Sequence, residues 1–246
     1  MRYVGGKHRL WKHLLPIILE GQPPDIPWVE PFCGMCSLLA HVPPTHPRLG
    51  ADTNPFLISL LEQVRDGWDP PQDITNARWR ELRNWKDDYI GAIQVGRDFA
   101  AEIAFAGFGC SYAARWFQGY ARDRRGDTNF AANARRSLLR LSPQLTGAEF
   151  RVSDYQRLHL PNAPAILYCD PPYAGSVKNY YRFGAFDVGE FHAWTLNRAA
   201  EGYLVWVSEF EGAHGWTEVC SRSRAVSLTR DTGKRWRDDK LFRVAP

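Results

Sequence analysis

The stretch Leu167-Tyr168-Cys169-Asp170-Pro171-Pro172-Tyr173 is the one around which the chain is organised. An apolar run, Ala165 to Leu167, predicts a short buried strand that ends at an acid, two prolines and an aromatic residue. Because the prolines lack backbone donors and hold the chain extended, the carbonyls of Asp170 and Pro171 can face a ligand. These acceptors and a flat ring suit a planar group with an amine, a shape that adenine has. An ordinary strand-to-turn exit explains the stretch equally well, since Asp-Pro pairs are common in turns.

The composition is that of an ordinary globular protein. The 246 residues are 44% hydrophobic and 24% charged, and a chain of this length can bury a sizeable core with a smaller insertion. No apolar segment approaches the length of a membrane span, and the N-terminus lacks the apolar region of a signal peptide. We therefore expect a cytoplasmic protein with no membrane partner.

The cysteines do not form a disulfide framework. There are five of them, an odd number at scattered positions, so reduced thiols are expected. Cys33-Gly34-Met35-Cys36 matches the C-x-x-C pattern of redox and metal sites, but no second Cys or His pair stands at zinc-ligand spacing. We expect no metal.

Positive charge is concentrated in two stretches, although the formal net charge is only +4. Residues 111–140 carry seven arginines and two aspartates, and residues 222–243 carry eight lysines or arginines and three aspartates. Such stretches on an otherwise balanced chain indicate a polyanionic partner, most simply nucleic acid. Two solvated faces would have the same composition.

The N-terminal region contains two glycine turns. The first, within Arg2–Lys7, precedes an amphipathic helix over Arg9–Leu19 and places a lysine beside backbone that a ligand can approach. The second, Cys33–Ser37, follows a strand over Trp28–Phe32 and leads into a helix that begins at its last residue. A strand, a glycine turn and a helix form the first unit of a nucleotide-binding α/β fold. Because Gly34 is alone, the G-x-G-x-x-G fingerprint is absent and a pyrophosphate ligand is not expected.

A second strand, Arg48–Asp52, ends in an acid about twenty residues beyond the glycine turn at Gly34, where an acid can accept hydrogen bonds from ribose hydroxyls. Asn54-Pro55 then begins a helix whose apolar residues fall at helical spacing. A glycine turn and a ribose-binding acid without a diphosphate cradle predict a nucleoside-like cofactor. S-adenosylmethionine fits that description.

Residues 69–147 interrupt the alternation of strands and helices. The stretch has helical patterns and many aromatic residues, most of which we expect in its core, and it contains a run of arginines near residues 122–125. Cations hold phosphates and rings stack on unpaired bases, so this mixture is typical of a nucleic-acid surface. The arginines for which we predict DNA contact are Arg115, Arg122, Arg124 and Arg125.

The alternation resumes with a strand over Glu149–Asp154, the strand before Asp170, a helix near residues 186–200 and a strand over Tyr203–Val207. A terminal β-hairpin is predicted between residues 225 and 244. The predicted fold is therefore α/β: a Rossmann-like sheet over residues 1–68 and 148–246 with a C-terminal β-hairpin, and a mostly helical insertion over residues 69–147.

The predicted strands end in acids. Strands that end at Asp52, Asp154 and Asp170, after a first that ends near Glu30, would gather these side chains along the carboxyl edge of one sheet. Open α/β sheets bind their ligands at that edge.

Four short motifs follow one another along the chain. They are Tyr3-Val4-Gly5-Gly6-Lys7, Val29-Glu30-Pro31-Phe32-Cys33-Gly34, Ala51-Asp52-Thr53-Asn54 and Tyr168-Cys169-Asp170-Pro171-Pro172-Tyr173. Their order and spacing resemble the Dam-like family of DNA adenine N6-methyltransferases, in which cofactor motifs precede a target-recognition insertion and the catalytic motif follows it. The resemblance implies an S-adenosylmethionine-dependent methyltransferase that acts on double-stranded DNA, with residues 69–147 as the target-recognition insertion.

The resemblance also implies roles for single residues. Those implied to contact the cofactor are Tyr3, Lys7, Asp52 and Asp170, and those implied to shape its pocket are Glu30, Phe32 and Gly34. Asp154 is implied to lie near the cofactor adenine.

A hypothesis for the reaction assigns Asp170, Pro171 and Tyr173 to catalysis. The lone pair of an adenine amine is delocalised into the ring, and the Asp170 carboxylate and the Pro171 carbonyl would localise it by accepting the two N6 protons. These acceptors also stabilise positive charge on the nitrogen. Inside a duplex the amine is out of reach, so the base would be flipped out and stacked on Tyr173.

Two alternatives stay open at this point. One is the same chemistry on cytosine N4 or on adenine in RNA; an acid at position 170 favours adenine over cytosine. The other is a DNA-binding protein that keeps the fold without turnover, against which the intact Lys7, Asp52, Asp170 and Tyr173 argue. The motifs do not specify the recognised sequence, the oligomeric state, or a restriction-modification role against a phage or housekeeping one.

Overall fold

The computed structural model describes residues 1, 10–172, 186–226 and 235–245. In chain order, its longer elements are α1 (Trp11–Leu19), β1 (Trp28–Glu30), β2 (Arg48–Asp52), α2 (Pro55–Arg65), α3 (Asn76–Asn84), α4 (Tyr89–Val95), α5 (Arg97–Ala104), α6 (Phe130–Leu141), β3 (Ala148–Val152), β4 (Ile166–Cys169), α7 (Val188–Ala200), β5 (Leu204–Glu209), β6 (Trp216–Val226) and β7 (Arg235–Val244). Among the helices of these residues, none combines the length and the apolar character that a membrane crossing requires.

In this part of the chain, one seven-stranded sheet carries the fold, with the strand order β3-β2-β1-β4-β5-β7-β6. The first five strands are parallel, whereas β7 runs antiparallel to both β5 and β6. The order 3-2-1-4-5 is that of doubly wound nucleotide-binding sheets. The predicted Rossmann-like sheet and its C-terminal hairpin are confirmed.

The sheet buries apolar side chains on both faces. Trp28 and Tyr168 pack on one face with α1, α2 and helices from residues 69–147, while Val29 and Leu167 pack on the other face with α7. Alternate residues of a strand point to opposite faces, so strands covered on both sides are apolar throughout. This burial accounts for the continuous apolar run before Asp170.

Residues 69–147 are mostly helical, as predicted, and contain α3 to α6 with short 3₁₀ and π turns. Helix α5 packs against α2. Ile103 of α5 and Phe105, which directly follows this helix, belong to the same buried cluster as Trp28 of the sheet. The stretch therefore extends the core of the sheet on one face. Its treatment as a separate recognition domain stays a prediction.

The prediction of a helix that begins at Ser37 is wrong. One 3₁₀ turn, Leu39–His41, takes its place, and the next residue, Val42, is extended with φ −64° and ψ 131°. Pro43 and Pro44 explain the difference, because the residue before a proline disfavours the helical conformation and a proline lacks the helical donor. The chain therefore returns to β2 through a short irregular segment.

The start of α2 follows the sequence closely. Asn54 caps the helix, and its side-chain oxygen accepts the backbone N–H of Leu57 at 3.2 Å. Pro55 occupies the first helical position, where its missing donor costs nothing. The helix begins at the predicted Asn54-Pro55 pair.

The terminal hairpin extends past the carboxyl edge of the parallel strands. Glu209, the last residue of β5, pairs with Lys240 of β7, and β6 and β7 continue their pairing from Arg222 and Asp239 to Val226 and Arg235. Both strands are longer than predicted. The end of the first predicted strand, at Leu228, and the predicted loop at residues 231–233 lie outside the described residues. The outer part of the hairpin stands beside the edge where the acids lie.

Candidate active site

The structure brings the predicted acids to one edge of the sheet. Glu30 and Asp52 are the last residues of β1 and β2, Asp170 directly follows β4, and Asp154 lies two residues past β3. Because β1 lies between β2 and β4, the turn after Glu30 rises between Asp52 and Asp170. A ligand at this edge meets acids from neighbouring strands.

Asp52 joins β2 to the glycine turn. Its carboxylate accepts the backbone N–H of Gly34 at 3.2 Å and that of Asn54 at 2.9 Å. Gly34 has a φ of +47°, in the left-handed region that favours glycine. Burial raises the pKa of Asp52 to about 6, and the backbone N–H donors oppose that rise. A carboxylate has about four lone-pair positions, so further acceptor capacity is left for ribose hydroxyls.

Glu30 lies inside the edge and is 3% exposed. Its Oε1 accepts the indole N–H of Trp28 at 3.0 Å. Burial, and to a smaller extent the nearby charge of Asp170, raises the pKa of Glu30 to about 8, against the effect of the indole. Glu30 therefore holds its proton at neutral pH.

Asp170 and Pro171 leave β4 in the middle of the edge. Asp170 is half-buried and Pro171 is buried. Two residues earlier, the Tyr168 hydroxyl lies 2.8 Å from Ser208 Oγ of β5, so a buried hydrogen bond holds the end of β4 to its neighbour. The predicted Tyr3, Lys7 and Tyr173 lie outside the described residues.

Aromatic rings cover one side of this edge. The ring centroid of Phe32 lies 5.3 Å from that of Tyr155, 5.5 Å from that of Phe191 and 5.9 Å from that of Phe186. Tyr155 follows Asp154, whose carboxylate accepts the Gln156 N–H at 2.9 Å. Phe32 and Asp154 thus belong to one side of the site. Sequence reasoning missed the three other rings, for which no motif was available.

The four arginines predicted to contact DNA do not form one group. Arg122 lines a groove of about 930 Å³ between α3 and residues 117–122, and the other three do not line it. Arg124 and Arg125 are exposed in a turn held by Asp123, which accepts the Gly126 N–H at 2.5 Å. Arg115 is half-buried.

Sequence reasoning missed two further cations of the same groove, Arg80 and Arg83 of α3. They are three residues apart on a helix, a spacing that places both on one face. That spacing was the available signal, and the one acid of the helix, Glu81, lies between the two arginines.

The C-x-x-C pair packs inside the glycine turn. Cys33 and Cys36 are buried, and burial raises the pKa of both thiols. All five cysteines are free thiols, as predicted. Within the described ranges, no group of three or more His, Cys, Asp or Glu side chains could hold a metal ion.

The family model of the D12 class N6 adenine-specific DNA methyltransferases matches residues 3–204, a span that contains all four motifs and the insertion. The chain belongs to that family. As a D12 class methyltransferase, it transfers the methyl group of S-adenosylmethionine to adenine N6 in DNA.

Solved structures share a general likeness with this D12 class methyltransferase. The rRNA methyltransferase AviRa from Streptomyces viridochromogenes is 13% identical, with a TM-score of 0.41 over 96% of this chain and 84% of that chain. A protein from Listeria monocytogenes described as a class I S-adenosylmethionine-dependent methyltransferase is 10% identical, with a TM-score of 0.44 over 100% of this chain and 63% of that chain. A search of curated protein sequences gave no match. The fold is established by the strand order and by the family.

Proposed function

We propose that the carboxyl edge of the sheet is where this methyltransferase binds S-adenosylmethionine, and that Asp170 and Pro171 hold the amine of the target adenine there. The observation that carries the proposal is that Asp52, bound to Gly34, and Asp170 flank the same turn. A nucleoside held by Asp52 and an amine held by Asp170 would then meet over the end of β1.

The residues present at this edge suit such a cofactor. Asp52 accepts hydrogen bonds from the ribose hydroxyls, and the turn at Gly34 lets the backbone approach the ligand closely. On the side of the edge where Phe32 lies, the aromatic rings and Asp154 are available to the cofactor adenine. Glu30 shapes the floor of the pocket. Tyr3 and Lys7 of the N-terminal motif complete the proposed set of cofactor ligands.

Asp170 and Pro171 act on the amine. When bound, S-adenosylmethionine supplies an electrophilic methyl group. The Asp170 carboxylate and the Pro171 carbonyl each accept a hydrogen bond from one N6–H, which directs the nitrogen lone pair away from both acceptors. These acceptors also stabilise the positive charge that develops on N6, as preorganised dipoles and charges do in other active sites.

Double-stranded DNA must present its adenine outside the stack, because N6 is otherwise out of reach. Flipping the base costs about a few kcal/mol, and Tyr173 is proposed to recover part of this by stacking. The arginines proposed to hold phosphates are Arg115, Arg122, Arg124 and Arg125. A DNA substrate also supports the cytoplasmic location expected from the sequence.

Replacement of Asp170 tests the proposal. We expect Asp170→Ala to lower methyl transfer at least about 100-fold, because a preorganised charge at the developing cation is lost. Transfer is measured by nucleoside analysis of DNA from a methylation-free host, which also distinguishes N6-methyladenine from N4-methylcytosine. The exposed Asp25, just before β1, supplies the control variant Asp25→Ala. Near-normal transfer by a folded Asp170→Ala protein would contradict the assignment.

A further inference from the structure

The groove beside α3 is a built surface with two rigid walls. On one side, Trp79 of α3 is buried and donates its indole N–H to Ser111 Oγ at 3.0 Å. On the other side, the Tyr120 hydroxyl donates to the Ile74 carbonyl at 2.6 Å, and the Ala121 N–H donates to the Cys110 carbonyl at 2.8 Å. The side chains that line the groove are therefore held on a fixed frame.

Three arginines of this groove are available to an anion. Arg80, Arg83 and Arg122 are exposed, and none of the ion pairs between described residues uses them. Arg78 of the same helix differs, because it binds Glu102 at 2.6 Å and Glu81 at 2.6 Å. Helix α3 thus contains one arginine with a structural role and two that face the groove.

Two of these guanidinium groups lie over rings. The guanidinium carbon of Arg83 is 5.7 Å from the Trp79 ring centroid, and that of Arg122 is 5.6 Å from the Tyr120 centroid. A guanidinium over a ring still presents its N–H edge to a phosphate or carboxylate. The rings limit the motion of both cations and reduce the entropy lost when an anion binds.

The lining of the groove favours a polymer over a small apolar ligand. Eight of its twelve lining residues are polar or charged, whereas pockets for small ligands are lined mostly by apolar side chains. Amide side chains of Asn76, Asn84 and Gln118 add neutral donors of the kind that contact phosphate and sugar.

We propose that the groove between α3 and residues 117–122 holds the sugar–phosphate backbone of the DNA, with Arg80, Arg83 and Arg122 as phosphate ligands. This inference rests on the proposed function, since it takes DNA as the polyanion. It shifts the main phosphate site from the Arg124–Arg125 turn to the face of α3.

A pair of matched double variants tests the groove. Arg80→Ala with Arg83→Ala removes two groove cations, and Arg136→Ala with Arg140→Ala removes two exposed arginines of α6 that do not line it. Affinity for a mixed-sequence DNA duplex is measured at several salt concentrations. The groove pair should weaken binding roughly 10- to 100-fold at low salt and lower the slope of log K against log salt by about 2, because about one counterion is released per phosphate contact.

The control pair should change affinity by no more than about twofold. Thermal unfolding checks that both proteins fold, and the single variant Arg122→Ala, on the opposite wall, should lower the slope by about 1. Equal losses for the two pairs, or an unchanged slope for the groove pair, would overturn the inference without bearing on the proposed methyl-transfer site. A wild-type protein that neither binds nor methylates DNA would instead overturn the proposed function.

Discussion

Glu30 and Asp170 show how single residues set the charge of the site. Two carboxylates near each other in a buried place cannot both ionise at low cost, and the pKa of the more buried one rises. Glu30 is deeply buried, so desolvation, with a smaller contribution from the nearby Asp170, keeps it protonated at neutral pH. The proposed role of Asp170 requires its carboxylate form, which accepts a hydrogen bond from the amine N–H.

The raised pKa of Glu30 predicts a dependence of stability on pH. In the native state Glu30 holds its proton up to about pH 8, but in the unfolded chain it releases it near its ordinary pKa of 4.5. The resulting stabilisation is complete below that ordinary pKa and is lost as the pH rises through about 8. This stabilisation amounts to about 1.4 kcal/mol for each pH unit between the two pKa values of Glu30, which is a few kcal/mol in total.

Urea unfolding of the wild type and of Glu30→Gln between about pH 5 and pH 8 measures the pH-dependent stabilisation that comes from Glu30. The wild type should lose free energy of unfolding relative to Glu30→Gln as the pH rises. The exposed Glu20 supplies Glu20→Gln as a control with the pH dependence of the wild type. Parallel curves for the wild type and Glu30→Gln would show that Glu30 ionises normally in the native protein.

At the scale of elements, Arg48 connects the sheet to the end of the helical stretch. It is 6% exposed, and its guanidinium donates to the backbone carbonyls of Gln144 at 2.8 Å, Thr146 and Val42. Three backbone carbonyls from two separate segments thus accept hydrogen bonds from one side chain of β2. A buried planar fork is suited to several acceptors at once, which an ammonium group is not.

Arg48→Met should lower the free energy of unfolding by about 2–4 kcal/mol, because buried carbonyls lose a charged donor. The free energy of unfolding of Arg48→Lys should lie between those of Arg48→Met and the wild type, since one ammonium group cannot reach all three acceptors. Chemical denaturation measures both. The exposed Arg140 supplies Arg140→Met, expected to stay within about 0.5 kcal/mol. A similarly small effect of Arg48→Met would mean that water replaces the guanidinium without loss.

At the scale of the whole molecule, cofactor binding should be visible as added stability. A ligand that binds only the folded protein adds about 2.7 kcal/mol at one hundred times its Kd, which raises the Tm of a chain of this size by about 5–10 °C. Asp52→Asn should reduce the shift caused by S-adenosylmethionine, because an amide group cannot accept both backbone N–H groups and ribose hydroxyls. Asp25→Asn is the control, and the shift should match that of the wild type. An equal shift in Asp52→Asn would place the nucleoside elsewhere.

Local features of the chain were predictable to a useful degree. The strand Arg48–Asp52 has the bounds that its apolar pattern predicted, and α2 begins at the predicted Asn54-Pro55 pair. Both depend on a few consecutive residues, where strand pattern, side-chain caps and proline geometry act directly. The failed helix after Ser37 had a local cause too, in the double proline at Pro43-Pro44.

The amino-acid sequence by itself determined the α/β class, the strand ends that carry Glu30, Asp52 and Asp170, and the motifs that mark the family. Only the tertiary structure decided that Asp52 binds the Gly34 turn and that Arg122 shares a groove with Arg80 and Arg83. The reason is that a strand or a helix start depends on neighbours in the chain, whereas a groove or a long-range hydrogen bond depends on how distant segments pack around the core.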